Sequence, residues 1–254
     1  MLDAATAMVE RSGLTVSLDH IRFEDVIRDA GVSRSAGYRR WPYKDLFFSD
    51  LLLELASAAT PAAESDGSAL ELVRAIAAAH PAGFDTATGR HELCLELLRH
   101  GAAADFATIH GSSRWRTYLA LHATFQSLAD GTLRDDVRTA LAAAEQGFID
   151  RIAGVYAQVT GLLGYRLRPE LHASHRTLAT VANATLRGLL LMAQSTPAVA
   201  EDRIDAAPLG AAETASWSLA GLGIAAVAMA FLEPDPTVEW NAERVAAARS
   251  ALGG

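Results

Sequence analysis

Apolar residues recur along this chain at spacings of three and four, and no sustained apolar/polar alternation interrupts them. That pattern selects helices. Only a period of 3.6 brings positions i, i+3, i+4 and i+7 onto one face, whereas a half-buried strand needs a period of two. Composition points the same way, because half of the residues are hydrophobic, only 7% are aromatic, and the heavy use of Ala and Leu favours helical backbone. The expected fold class is all-α. At 254 residues the chain exceeds a common single domain without reaching two full ones, so a small module joined to a larger helical core is expected.

The periodicity predicts a first helix over Leu2–Ser12, with Ala5, Met8 and Val9 on one face and Gly13 as its stop. A second carries Phe23, Val26, Ile27 and Ala30 before Gly31 ends it. Ser33 supplies a capping oxygen for a brief third helix that Pro42 breaks just after Trp41. A fourth starts near Lys44 and stacks Leu46, Phe47, Leu51 and Leu55. The small and polar stretch from Ser57 to Ser68, with Pro61 and Gly67, then marks a joint between a module over 1–56 and a larger one over 57–254. In the larger module helices are predicted over 69–80, 89–101, 113–129, 133–161, 172–195, 212–232 and 238–251. Thr196 to Gly210, with Pro197 and Pro208, is predicted to be a loop.

Charge separates the two modules in function. The net charge is −8, so the chain as a whole repels nucleic acid and any DNA-binding role needs a local basic patch. One exists: Ser33 to Lys44 holds Arg34, Arg39, Arg40 and Lys44 and no acid, and Lys44 is the one lysine in the sequence. Two short helices joined by a glycine turn form the layout in which the second helix enters the major groove. Cations there neutralise phosphates, and Arg34, near the start of that helix, suits bidentate contact with guanine. Lys44 beside the free N–H groups of the next helix makes a two-part phosphate grip.

The run from Val26 to Ser33, followed by Tyr38, Trp41, Lys44, Leu46 and Phe47, resembles the signature of the tetracycline-repressor family of bacterial regulators over roughly the first 55 residues. The resemblance implies that Tyr38 and Lys44 touch phosphates. It places Ser33, Arg34, Ser35, Ala36, Arg39 and Arg40 on or beside the reading surface, and packs Trp41 beneath it. It further implies a homodimer joined through the last two long helices, which fits the apolar character of His175 to Met192 and Ala215 to Leu232. The partners expected are near-palindromic double-stranded operator DNA, an unidentified small-molecule effector and a second copy of the chain. Three departures stand out. Gly37 replaces a branched apolar residue, which removes a contact and costs about 1 kcal/mol of helix propensity relative to Ala. Gly13 to Phe23 is a few residues longer than usual, and Glu24, Asp25 and Asp29 put acids near the duplex. The short basic arm that commonly precedes the first helix is also missing.

Other constellations are less specific. Trp115, Tyr118, His122 and Phe125 share one helix face at spacings of three and four and read either as plain core or as an effector-pocket wall, with Asn183 and Arg187 adding polar contacts from another helix. His91, Glu92, Glu96 and His100 include an i,i+4 pair, but Leu95 stands where a His-Glu-x-x-His motif needs its second histidine, so no metal site is expected. His172 and His175 form a similar pair. No Ser-His-Asp order or phosphate loop is recognisable, and no catalytic residue or cofactor is expected. Cys94 is the single cysteine and suits a reducing cytosol. The uncharged segment Ala215 to Leu232 reads as a buried interface helix rather than a membrane span, since acids and not cations flank it. Met1 to Gly13 does not read as a secretory signal, so a cytoplasmic location is expected. The alternative class is an all-α enzyme or carrier whose N-terminal helices only resemble a reading module.

Overall fold

The computed structural model describes residues 1–12, 21–58 and 68–253, and over these the protein is mostly helical. The elements in chain order are α1 (Leu2–Ser12), α2 (Phe23–Asp29), α3 (Arg34–Arg40), α4 (Lys44–Ser57), α5 (Ser68–Ala79), α6 (Ala87–His110), α7 (Ser113–Ser127) and α8 (Thr132–Leu162). They continue with β1 (Tyr165–Leu167), α9 (His175–Ala193), α10 (Ala198–Glu201), β2 (Arg203–Ala206), β3 (Ala215–Ser218), α11 (Leu219–Phe231), β4 (Leu232–Pro234) and α12 (Ala242–Gly253). The chain divides into two compact units, one formed by Met1–Ala63 with Gly111–Phe148, the other by Glu64–His110 with Ile149–Gly254. The joint expected between Ser57 and Ser68 falls largely on residues outside the described ones, as does the long connection before Phe23.

In the first unit α1 packs on α2, α4 and α7, burying Ala5 and Val9 completely. The short helices α2 and α3 have only seven residues each, below the length at which a helix persists alone in water. An aromatic cluster seats them. Phe23, fully buried, lies edge-on to Tyr38 at 5.2 Å and tilted against Phe47 at 4.9 Å, and Trp41 meets Phe47 edge-on at 5.3 Å. Each such buried ring contributes about 1.5–3 kcal/mol through area removed from water, enough to offset the poor intrinsic stability of two-turn helices.

In the second unit α11 lies against both α6 and α9. Its glycines allow the approach: a Cβ at Gly221 would stand 3.0 Å from the Arg99 carbonyl oxygen of α6, and one at Gly223 would stand 3.2 Å from Thr185 of α9. Leu93, Leu97, Leu163, Leu178 and Leu232 fill the adjoining core. The C-terminal α12 packs on α5, and the Trp240 Nε1–H donates to the Phe84 carbonyl at 2.7 Å while the Arg90 guanidinium stacks on the Trp240 ring.

Five expectations need correction. Strands occur within the mostly helical chain: β1 pairs antiparallel with β4, and β2 with β3. The helix expected over 212–232 begins only at Leu219, because Ala215–Ser218 alternates in burial, pairs with β2 and ends on Ser218, whose Oγ caps α11 by accepting from the Gly221 N–H. The loop expected over 196–210 holds α10 and β2. The helix expected over 89–101 runs on to His110 through Gly101, which has open space beside it, while the helix expected from 172 starts at His175 behind a Ser174–Thr177 capping box. Among the described residues no helix is long and apolar enough to cross a membrane, and α11 reaches only 13 residues.

Candidate nucleic-acid interface

The turn between α2 and α3 is set by Gly31, whose φ of +64° is strained for any side chain. Ser33 then caps α3, its Oγ accepting from the Ala36 N–H at 3.2 Å and lying 3.2 Å from the Ser35 Oγ. Pro42 follows the C-cap residue Trp41, and α4 begins at Lys44. This local order turns Ser33, Arg34, Ser35, Arg39, Arg40 and Lys44 outward and leaves Ala36 and Tyr38 half-buried. The four cations expected to act together are each exposed, Arg34, Arg39 and Arg40 on α3 and Lys44 at the start of α4.

Their surroundings differ. The Arg40 guanidinium lies 3.6 Å from the Asp50 carboxylate and over the Trp41 ring, and Arg34 lies over the Tyr38 ring at 5.6 Å. The Arg40 pair is solvent-exposed and so weakly held. Among the described residues Arg39 and Lys44 make no ion pair. Tyr38 donates its hydroxyl proton to Glu24 at 2.8 Å. That hydrogen bond, the Glu24 backbone N–H and the nearby charges of Lys44 and Arg34 hold the Glu24 carboxyl below its ordinary value of 4.5. An ionised acid therefore sits among the cations at neutral pH.

Trp41 packs beneath the surface as expected of it, 8% exposed, and its Nε1–H donates to Asp50 at 2.9 Å. Asp50 serves both Trp41 and Arg40 from the next helix, and no motif in the sequence marks it. The expectation for Gly37 is corrected. The position is buried, and a Cβ there would stand 2.9 Å from Ile27 Cδ1 and 3.0 Å from Ile27 Cγ1. The volume missing from Gly37 is filled across the helix pair by Ile27, so no contact is lost.

The aromatic run on α7 is brought together in part. Trp115, 1% exposed, stacks on Tyr118 at 5.3 Å, and Tyr118 meets His122 at 4.3 Å. Phe125 lies under the Arg134 guanidinium instead, and the Tyr118 hydroxyl points to Glu145 at 3.4 Å. The Trp115 Nε1–H is buried with no hydrogen-bond acceptor among the described residues. Asn183, buried, and Arg187, half-buried, belong to α9 in the second unit. A groove of about 390 Å³ in that unit is lined by Leu162, Glu239, Asn241, Glu243, Arg244 and Ala247, none of them a residue expected to hold an effector.

The other constellations are occupied structurally. His91 donates from Nε2 to the Leu209 carbonyl at 2.8 Å, which can only accept, so in the neutral ring Nδ1 accepts from the Tyr165 hydroxyl at 2.9 Å. Glu92 accepts from the Ala212 N–H, and Glu96 binds Arg99 and lies 3.3 Å from His100. His175 lies 3.4 Å from the Thr160 hydroxyl. Among the described residues no group of three His, Cys, Asp or Glu could hold a metal ion. Burial pushes the Cys94 thiol up to about 12, so it keeps its proton and is a poor nucleophile at neutral pH. The chain matches no family model, no curated protein and no solved structure.

Proposed function

We propose that this protein is a ligand-responsive, DNA-binding transcription regulator of the tetracycline-repressor kind, acting as a repressor that its effector releases. One observation carries the reading. A chain of net charge −8 directs Arg34, Arg39, Arg40 and Lys44 outward from a capped two-turn helix and the start of the next helix. In the proposed mode α2 and α3 form a helix-turn-helix, α3 enters the major groove, Arg34 reads base edges, and Lys44 with the free N–H groups of α4 grips a phosphate.

Two further features support the reading. The outward face of α9 leaves Val181, Leu191 and Met192 exposed, with Ala184 and Gly188 between them in the same stripe. That is an apolar surface suited to a second copy of the chain through α9 and α11, which would set two reading heads about one DNA turn apart. The buried Trp115 N–H without an acceptor marks the α7 ladder as a place where an effector carrying an acceptor group gains a hydrogen bond. A differential affinity of about 1–3 kcal/mol for the two states suffices for control.

The test is a gel-shift titration at physiological salt with the DNA immediately upstream of the protein's own gene and a scrambled duplex of the same composition. The regulator binds the first in clear preference. Equal binding to both, or a cofactor retained by the purified protein, favours the enzyme or carrier class instead.

A further inference from the structure

The Glu24–Tyr38 hydrogen bond joins α2 to α3 at the surface, beside the contact the Phe23 ring makes with the Tyr38 ring. Both groups reach the protein surface, and the Tyr38 ring is seated by Phe23 independently of its hydroxyl. The acid is nevertheless fixed among three groups that the DNA-binding reading assigns to phosphate or base contact. The Tyr38 hydroxyl donates to it at 2.8 Å, and the charges of Lys44 and Arg34 both act on it. A carboxylate that accepts from a phenol within electrostatic range of an ammonium and a guanidinium stands where a DNA phosphate would make the same hydrogen bond. We propose that Glu24 is an intramolecular phosphate mimic, an autoinhibitory acid that occupies the Tyr38 hydroxyl in the free protein, opposes the field of Lys44 and Arg34, and lowers affinity for duplex DNA of any sequence. The inference rests on the DNA-binding reading.

On binding, the Tyr38 hydroxyl exchanges Glu24 for a phosphate oxygen, and the Glu24 carboxylate is left beside a like charge. The opposition is electrostatic and independent of base sequence, so it acts on non-specific as well as specific binding. Glu24→Gln keeps an acceptor oxygen for Tyr38 and removes the charge. With like charges a few ångströms apart across a wet interface, the expected gain is about threefold per reading head, or about tenfold for two heads on one duplex. The salt dependence of the variant is at least as steep as that of wild type, because the substitution removes no phosphate contact.

The experiment is fluorescence anisotropy of a labelled random-sequence duplex titrated with the full chain, wild type and Glu24→Gln, across a salt series, with far-UV circular dichroism to confirm equal folding. Tighter binding by the variant, with a slope no shallower than that of wild type, establishes the mimic. Wild-type binding with an unchanged or weaker variant of equal fold overturns it and leaves the DNA-binding reading intact. Failure of both proteins to bind duplex overturns the DNA-binding reading and the inference with it. Tyr38→Phe gives an independent check: if Glu24 acts partly through the Tyr38 hydroxyl, the Gln substitution yields a smaller gain when combined with Tyr38→Phe, and an identical gain in that combination limits its action to Lys44 and Arg34.

Discussion

Filling Gly37 with leucine and emptying Ile27 to alanine tests how α3 is seated. A Cβ at Gly37 meets Ile27 at 2.9 and 3.0 Å, so Gly37→Leu overpacks the α2–α3 contact at a cost of about 1–3 kcal/mol. Against this stands about 1 kcal/mol gained in helix propensity, leaving a net destabilisation of about 0–2 kcal/mol. Ile27 is 6% exposed, and Ile27→Ala alone costs about 2–4 kcal/mol in lost burial and residual cavity. If the two side chains compete for one volume, the double variant is more stable than the sum of the singles predicts, by about 1–3 kcal/mol. The assay is urea unfolding by circular dichroism, with unchanged m-values required before midpoints are compared. Additivity within about 0.5 kcal/mol would refute the volume exchange and with it the claim that Gly37 costs this helix no contact.

The remaining predictions concern partner, pH and anchoring. Ala184→Arg on the outward face of α9 is expected to shift the chain to monomer in sedimentation velocity and to lower duplex affinity more than tenfold, since about 1.4 kcal/mol of lost pairing already gives tenfold. Burial holds the His175 imidazole below its ordinary value of 6.5, and its place in the first turn of α9 opposes a positive charge further. The unfolded chain then takes up the proton first, so stability falls as pH drops from about 7 towards 5, and His175→Gln flattens that limb of a melting-temperature profile. Asp50→Ala leaves the buried Trp41 N–H without its acceptor and lowers stability by about 1–3 kcal/mol, read as a drop in urea midpoint.

The helical part of the fold was legible because its signals are local. Gly31, Ser33 and Pro42 act within a few residues of themselves, and the end of α2, both ends of α3 and the start of α4 fall where those residues direct. What the periodicity hid was non-local. Trp217 lies on β3, which pairs with β2, and is buried against Leu95 and Ala225, and a four-residue strand carries too few positions to distinguish a period of two from one of 3.6. The helix expected over 89–101 continues to His110 because Ala102, Phe106 and Ile109 extend the buried face. In the candidate site the cations could be read directly, since they cluster in sequence. Their contacts could not: Asp50 reaches Arg40 from α4, Glu24, readable only as an acid near the duplex, takes the Tyr38 hydroxyl from α2, and for Gly37 the compensating side chain is ten residues away.

The central claim is that an acidic chain binds duplex DNA through one outward cluster of positive charge. Its most direct test is the salt dependence of binding for wild type and for the triple variant Arg34→Ala, Arg39→Ala, Lys44→Ala, which leaves Arg40 paired with Asp50. Three cations per head, six for two heads, give a log–log slope of about −5 for wild type, and the triple variant is expected to lose measurable binding at physiological salt. A flat wild-type slope, or a triple variant that binds as well as wild type, would contradict the account.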